Sequence, residues 1–157
     1  MSDFALPGSC LVESEHSDCF NALTEEELDL LEKNTIKIEF KKGEVIAKQG
    51  SFASHIIYLN EGLAKIYMSG TSKDLILKIT PAKKFIGLSS VFDGNNKFIY
   101  SSSTYIDSEA SLIDINFFKS LLRKNPAFAY KVISIQNENA AQVYSRFYSL
   151  TRKQSNG

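Results

Sequence analysis

Between Thr35 and about Ile115 apolar residues recur at every second position, in short runs cut by glycine turns. This restricts the chain to a mainly β body. Ile36, Ile38 and Phe40 alternate with Lys37 and Glu39; Ile57 and Leu59 follow, then Leu63, Lys65 and Tyr67, then Leu75, Leu77 and Ile79. A period of two lines one face of a strand with alternate side chains. Turn signals separate the runs at Lys42-Gly43, Gln49-Gly50, Glu61-Gly62, Ser69-Gly70 and Asp93-Gly94-Asn95-Asn96. Many short strands at this pitch fit a barrel, a sandwich or a jelly roll.

Helical patterns bracket the β region. Residues 1–18 mix Gly, Pro, Ser and acids without a period and read as a loose arm. In Leu23-Thr24-Glu25-Glu26-Glu27-Leu28, Thr24 has the capping position, Glu27 completes a capping box, and Leu23 with Leu28 has the spacing of a hydrophobic staple. Leu28, Leu30 and Leu31 form the apolar face of this helix, which fades near Asn34. After Ile115 the helical period returns. Asn116 caps a short helix carrying Phe117, Phe118, Leu121 and Leu122; Asn125-Pro126 ends it and starts another, with Asn125 as cap and Pro126 at the first helical position. That last pattern runs without a breaker to about Thr151.

Read in heptads, the last helix places Ala129, Ile133, Gln136, Ala140, Val143, Phe147 and Leu150 at alternating spacings of four and three. Such a seam suits a parallel helix pair, and a lone polar residue like Gln136 fixes register at some cost in stability. A second apolar stripe, Phe128, Val132, Ile135, Tyr144 and Tyr148, lies off the seam. A helix with two apolar stripes can bury one on its own body and the other on a partner, so a homodimer is expected. The division is then an arm over 1–18, a β-barrel domain over 19–125 and a dimerisation helix over 126–157.

Lys+Arg and Asp+Glu both number 18, so charge offers no nucleic-acid surface. The N-terminus lacks the basic and apolar regions of a signal peptide, and no apolar run is long enough to span a membrane. A soluble cytoplasmic chain is expected, with no membrane partner.

The order of elements resembles the Crp/Fnr regulators and the wider cyclic-nucleotide-binding domain family. The residues that carry the likeness are Phe40-Lys41-Lys42-Gly43-Glu44-Val45-Ile46, then Gly50, then Ile57-Tyr58-Leu59-Asn60-Glu61-Gly62-Leu63-Ala64-Lys65-Ile66. Pro81, Phe85-Ile86-Gly87 and Phe92 fit the approach to the family's ligand cassette. The resemblance spans about residues 20 to 154. It implies a double-stranded β-helix, a jelly-roll-like barrel, joined to a long dimerisation helix, and a role in effector sensing and transcription regulation. It also implies a winged helix-turn-helix beyond the long helix that puts a recognition helix into the major groove. The chain stops at Thr151-Arg152-Lys153-Gln154-Ser155-Asn156-Gly157, where the hinge to that reader is expected. DNA contact is therefore expected only through a domain outside this chain, and two origins stay open: truncation at the hinge and a natural stand-alone sensor.

Family members that bind cyclic AMP or GMP carry Gly-Glu-Leu, a short helix and then Arg-Ser or Arg-Thr. There the glutamate takes the ribose hydroxyl, and the arginine pairs with the phosphate. Here Gly87 matches but Leu88 replaces the glutamate, and Tyr100-Ser101 replaces Arg-Ser, with Ser102 following. No arginine occurs between Met1 and Leu122, and Lys97 is the nearest cation in sequence. A lysine lacks the bidentate fork. Val143 and Tyr144 fall where cyclic-AMP-responsive members place hydroxyl residues. The candidate effector pocket is thus Gly87, Leu88, Tyr100, Ser101, Ser102, Val143 and Tyr144. It holds either an effector other than cyclic AMP or nothing but its own Leu88, Phe98 and Tyr100, which would make the chain a ligand-free dimerisation scaffold.

Other chemistries fit less well. An iron–sulfur cluster needs four thiolates, and the chain has only Cys10 and Cys19, which lie in the polar leader. A redox disulfide between them is conceivable, and unreactive thiols are the simpler reading. A cupin-like metal enzyme, the remaining alternative, commonly uses a His-x-His set; His16 and His55 are the only histidines. No catalytic residues and no cofactor are expected.

Overall fold

The 3₁₀ helix His16–Ala22 buries Cys19 completely. This computed structural model describes residues 16–156 except residue 92. Most of the expected arm, with Cys10, and also Phe92 lie outside the described residues. Cys19 belongs to the core and not to a polar leader, because it packs with Leu23 against the body. Burial pushes its thiol up to about 12. A thiol held protonated at neutral pH is a poor nucleophile. Cys19 is therefore expected to resist a thiol reagent such as dithionitrobenzoate in the native protein and to react within seconds in urea. Labelling with the chain still folded would contradict its position.

The helix α1 (Glu25–Lys33) starts at the expected capping box. The Glu27 amide donates to Thr24 Oγ1 at 3.1 Å, and the Thr24 amide donates to Glu27 Oε1 at 3.0 Å. Its apolar face is less buried than its pattern implies. Leu28 and Leu30 are over two-fifths exposed, because α1 covers only the rim of the body.

Eight strands follow: β1 (Thr35–Phe40), β2 (Val45–Ala47), β3 (His55–Glu61), β4 (Leu63–Met68), β5 (Leu75–Pro81), β6 (Lys84–Ile86), β7 (Ser101–Thr104) and β8 (Ser108–Asp114). They make two four-stranded antiparallel sheets, ordered β1-β8-β3-β6 and β2-β7-β4-β5. The core between and over the sheets includes Ile56, Leu59, Ile66, Ile86, Ala110 and Ile113.

Two strand faces differ from the simple alternation. In β4 the buried residues are Ala64 and Ile66, one position out of phase with Leu63, Lys65 and Tyr67. The Lys65 ammonium lies 5.1 Å from the Tyr67 ring centre, which gives that outward row its own contact. The edge strands β1 and β5 leave Ile36, Ile38, Leu75 and Ile79 exposed, since each has a neighbour on one side only. Gly62 is required where it stands: at φ +112° an added Cβ would lie 2.0 Å from Ser108 Oγ.

Two helices close the chain, α2 (Ile115–Lys124) and α3 (Pro126–Asn156). The cap of α2 is Asp114, not Asn116; its carboxylate accepts from the Phe117 amide at 2.9 Å, because β8 runs straight into the helix and puts Phe117 at the third position. Asn125 does cap α3, accepting from the Phe128 amide at 3.0 Å. Its Nδ2 also donates to the Ala22 carbonyl and to Glu27 Oε1, both at 2.9 Å. One side chain thus joins α3 to the chain's first turns. Asn125→Ala is expected to cost about 2–3 kcal/mol, from a lost cap and a half-buried carbonyl left without its donor. Urea unfolding measures this, and a change below about 0.5 kcal/mol would show the junction to be incidental.

Candidate effector cavity

α3 crosses the body in two regimes. Phe128, Val132 and Ile135 are buried, whereas Tyr144 and Tyr148 are 73% and 65% exposed. The second stripe therefore stops covering the body after Ile135, since the helix there outruns the aromatic cluster it packs on. Beyond that point polar contacts hold it to β5: Lys78 Nζ donates to Asn139 Oδ1 at 3.2 Å and to Gln142 Oε1 at 3.0 Å. Arg146 Nε donates to the Ile76 carbonyl at 2.9 Å.

A cavity of about 440 Å³ opens where α3 stands off the sheet. Ile66 and Met68 from β4, Leu77, Lys78 and Thr80 from β5, Phe85, Ser89, Ile99 and Tyr100 form its floor. Gln136, Asn137, Asn139, Ala140, Val143 and Tyr144 of α3 form its roof. That size and mainly apolar lining suit a small organic molecule.

The position that resembles the nucleotide cassette is occupied from within. Gly87 adopts φ +93°, and a Cβ there would meet Phe98 Cε1 at 2.9 Å, so the backbone turns tightly into the short 3₁₀ helix Leu88–Ser90. The Gly87 N–H donates to Tyr100 Oη at 3.0 Å. Burial pushes the Tyr100 phenol up, opposed in part by this N–H and by the nearby Ser89 hydroxyl, so the phenol keeps its proton. The Ser102 hydroxyl is buried with no hydrogen-bond partner among the described residues.

Of the residues expected from sequence to line a pocket, Tyr100, Val143 and Tyr144 do so. Gly87 contributes its backbone through Tyr100. Leu88 turns into the core at 5% exposure. The Ser101 hydroxyl accepts from the Gln49 amide at 2.8 Å, and Ser102 is fully buried behind Ile66, its pair across β4 and β7. Phe98 packs in the core. Lys97 is exposed and lies outside the cavity; the cation at the cavity is Lys78. Sequence reasoning missed Lys78 because its neighbours Leu77 and Ile79 read as a simple alternation. A bulge between Ile66 and Tyr67 sets the β5 register so that Lys78 stands opposite Ile66.

Among the described residues no three His, Cys, Asp or Glu side chains gather where they could hold a metal ion. His55 is half-buried at the start of β3, its Nδ1 2.8 Å from Ser54 Oγ. The side chain of His16 lies outside the description.

Residues 37–125, more than half of the chain, match the model of the cyclic nucleotide-binding domain. The chain belongs to the cyclic nucleotide-binding domain family.

Solved structures similar to this family member include transcriptional regulators. The sensor domain of the transcriptional regulator DNR from Pseudomonas aeruginosa is 19% identical with a TM-score of 0.68, covering 76% of this chain and 86% of that one. The catabolite activator protein of Thermus thermophilus is 17% identical with a TM-score of 0.68, covering 85% of this chain and 62% of that one. A transcriptional regulator assigned to the Crp/Fnr family, from Eubacterium rectale, is 14% identical with a TM-score of 0.79, covering 89% and 66%. At these identities the likeness is one of fold. The chain spans under two thirds of the length of the last two. A comparison with curated proteins gave no significant match. Among the described residues no helix is long and apolar enough to cross a membrane.

Proposed function

We propose that this chain is the effector-sensing and dimerisation part of a cytoplasmic bacterial Crp/Fnr-type transcriptional regulator, one that does not respond to cyclic AMP. The observation that carries the second half is the Gly87 N–H held by Tyr100 Oη at 3.0 Å. A cyclic phosphate at that point would have to displace the phenol and would then meet no arginine. Leaving its charge so poorly paired costs several kcal/mol. The open cavity under α3 supports sensing over a ligand-free scaffold.

The sheet orders β1-β8-β3-β6 and β2-β7-β4-β5 support a jelly-roll barrel. Dimerisation is supported by Ile133 and Phe147 of the seam, 57% and 64% exposed, while Gln136, Ala140 and Val143 of the same seam face the cavity. Effector binding under α3 would shift the relation of two such helices, a two-state element moved by differential affinity. DNA reading belongs to a module of the regulator outside the described residues, and no enzymatic step or resident cofactor is proposed.

A thermal-shift titration tests this reading. Cyclic AMP and cyclic GMP at millimolar concentration are expected to leave the melting temperature within about 1 °C. A ligand at a hundred times its Kd stabilises by about 2.7 kcal/mol, equal to a rise of roughly 5–10 °C for a chain of this size. Such a rise with cyclic AMP would overturn the proposal.

A further inference from the structure

The ammonium at the cavity and its buried phenol are both engaged within the chain. Lys78, the one charged lining side chain among the described residues, donates to Asn139 Oδ1 at 3.2 Å and to Gln142 Oε1 at 3.0 Å, and is engaged beyond these two. The Tyr100 hydroxyl accepts from the Gly87 N–H at 3.0 Å and pairs with the Ser89 hydroxyl. What meets a guest is mostly hydrocarbon: Ile66, Met68, Leu77, Phe85, Ile99 and Val143. Gln136 and Asn137 add neutral amides at the roof. An apolar cavity of about 150 Å³ holds benzene. The cavity of about 440 Å³ under α3 has room for a larger body, such as a fused ring pair or a medium-length alkyl chain.

We infer that the effector is a small uncharged molecule with a mainly apolar body, of the alcohol, ketone or hydrocarbon class, seated between the sheet and α3 against Ile66, Leu77 and Val143. This rests on the reading of the cavity as an effector site. An ionic head would give up its water only to meet groups that already have partners. Such desolvation is seldom repaid without a well-placed counterion, and a cationic head would also face the charge of Lys78. A neutral body avoids both costs, and each methylene it buries tightens binding about fourfold. The roof it presses on includes Gln136, Ala140 and Val143, which are also seam positions. Occupancy is therefore felt on the helix face proposed to dimerise.

Calorimetric titration of the chain with octanol, octanoate and octylamine, all below micellar concentrations, tests the assignment. Octanol is expected to bind about tenfold or more tighter than either ion. Leu77→Trp fills the cavity from the floor, and Ile99→Trp narrows it from a half-exposed position where the fold is less easily disturbed. Each variant, checked for folding by circular dichroism, is expected to weaken octanol at least tenfold. An ion that binds as tightly as octanol would overturn the neutral assignment and leave the cavity reading standing. Octanol binding that is unchanged in both folded variants would overturn its seat under α3. If none of the three probes binds, a panel of neutral and ionic metabolites read by thermal shift separates the two claims. Stabilisation by a neutral compound, lost in the tryptophan variants, upholds the assignment. Stabilisation by ionic compounds alone, lost in the same variants, sinks only the neutrality; no stabilisation by any compound sinks both.

Discussion

Phe118→Ala is expected to lower the stability of the chain by about 4 kcal/mol, within the range for emptying a buried phenylalanine site. Phe118 is fully buried in a chain of rings. Its ring centre lies 5.9 Å from that of Phe85 and 5.5 Å from that of Phe128, both in edge-on geometry. Phe85 continues to Tyr58 at 5.1 Å, and Tyr58 to Phe20 at 5.5 Å. These rings bring together the N-terminal 3₁₀ helix, β3, β6, α2 and α3, so the lost contacts fall on every element that meets the sheet from that side. A drop in melting temperature of roughly 8–16 °C corresponds to that energy at this chain length. Phe118→Leu should cost much less, because it keeps most of the volume. If Phe118→Ala melted within about 2 °C of the native chain, α2 and α3 would have to be held by something other than the ring cluster.

Phe147→Asp is expected to convert a dimer into a monomer at micromolar concentration. Phe147 is 64% exposed on α3, touches neither the cavity nor the core, and shares the seam with Ile133, Ala140, Val143 and Leu150. In the single chain its replacement removes little packing, so the fold should survive. In a parallel helix pair the same change buries an unpaired carboxylate at an apolar position, at a cost of about 3–5 kcal/mol. That weakens association by roughly a hundredfold or more. Light scattering coupled to size exclusion reads both states. A monomeric native chain, or a variant that stays dimeric, would remove the seam from the proposal.

Much of the fold was legible because it depends on neighbours in sequence. The capping box at Thr24 and Glu27, the Asn125 cap and the turns at Gly43, Gly50, Gly62 and Gly94 each need only a few adjacent residues, and each formed. Errors gathered where burial depends on distant elements. Alternation in β4 located a strand but chose the wrong face, since Lys65 lies along aromatic rings while the small Ala64 faces inward. Ile36 and Ile38 read as core, yet β1 sits at a sheet edge and both stay exposed among the described residues.

The candidate site divides in the same way. That the cassette lacks the family's glutamate and arginine was plain from Leu88 and Tyr100 alone, because it concerns which residues are present. That Tyr100 turns its hydroxyl onto the Gly87 N–H, and that Lys78 rather than Lys97 meets the cavity, depended on how β5, the cassette and α3 come together. Local chemistry in the sequence determined the strands, most helix starts and the absence of the family's glutamate and arginine from the cassette. Only the tertiary structure decided which faces are buried and which charge reaches the cavity, since both follow from packing between segments as far apart as Lys78 and Gln142.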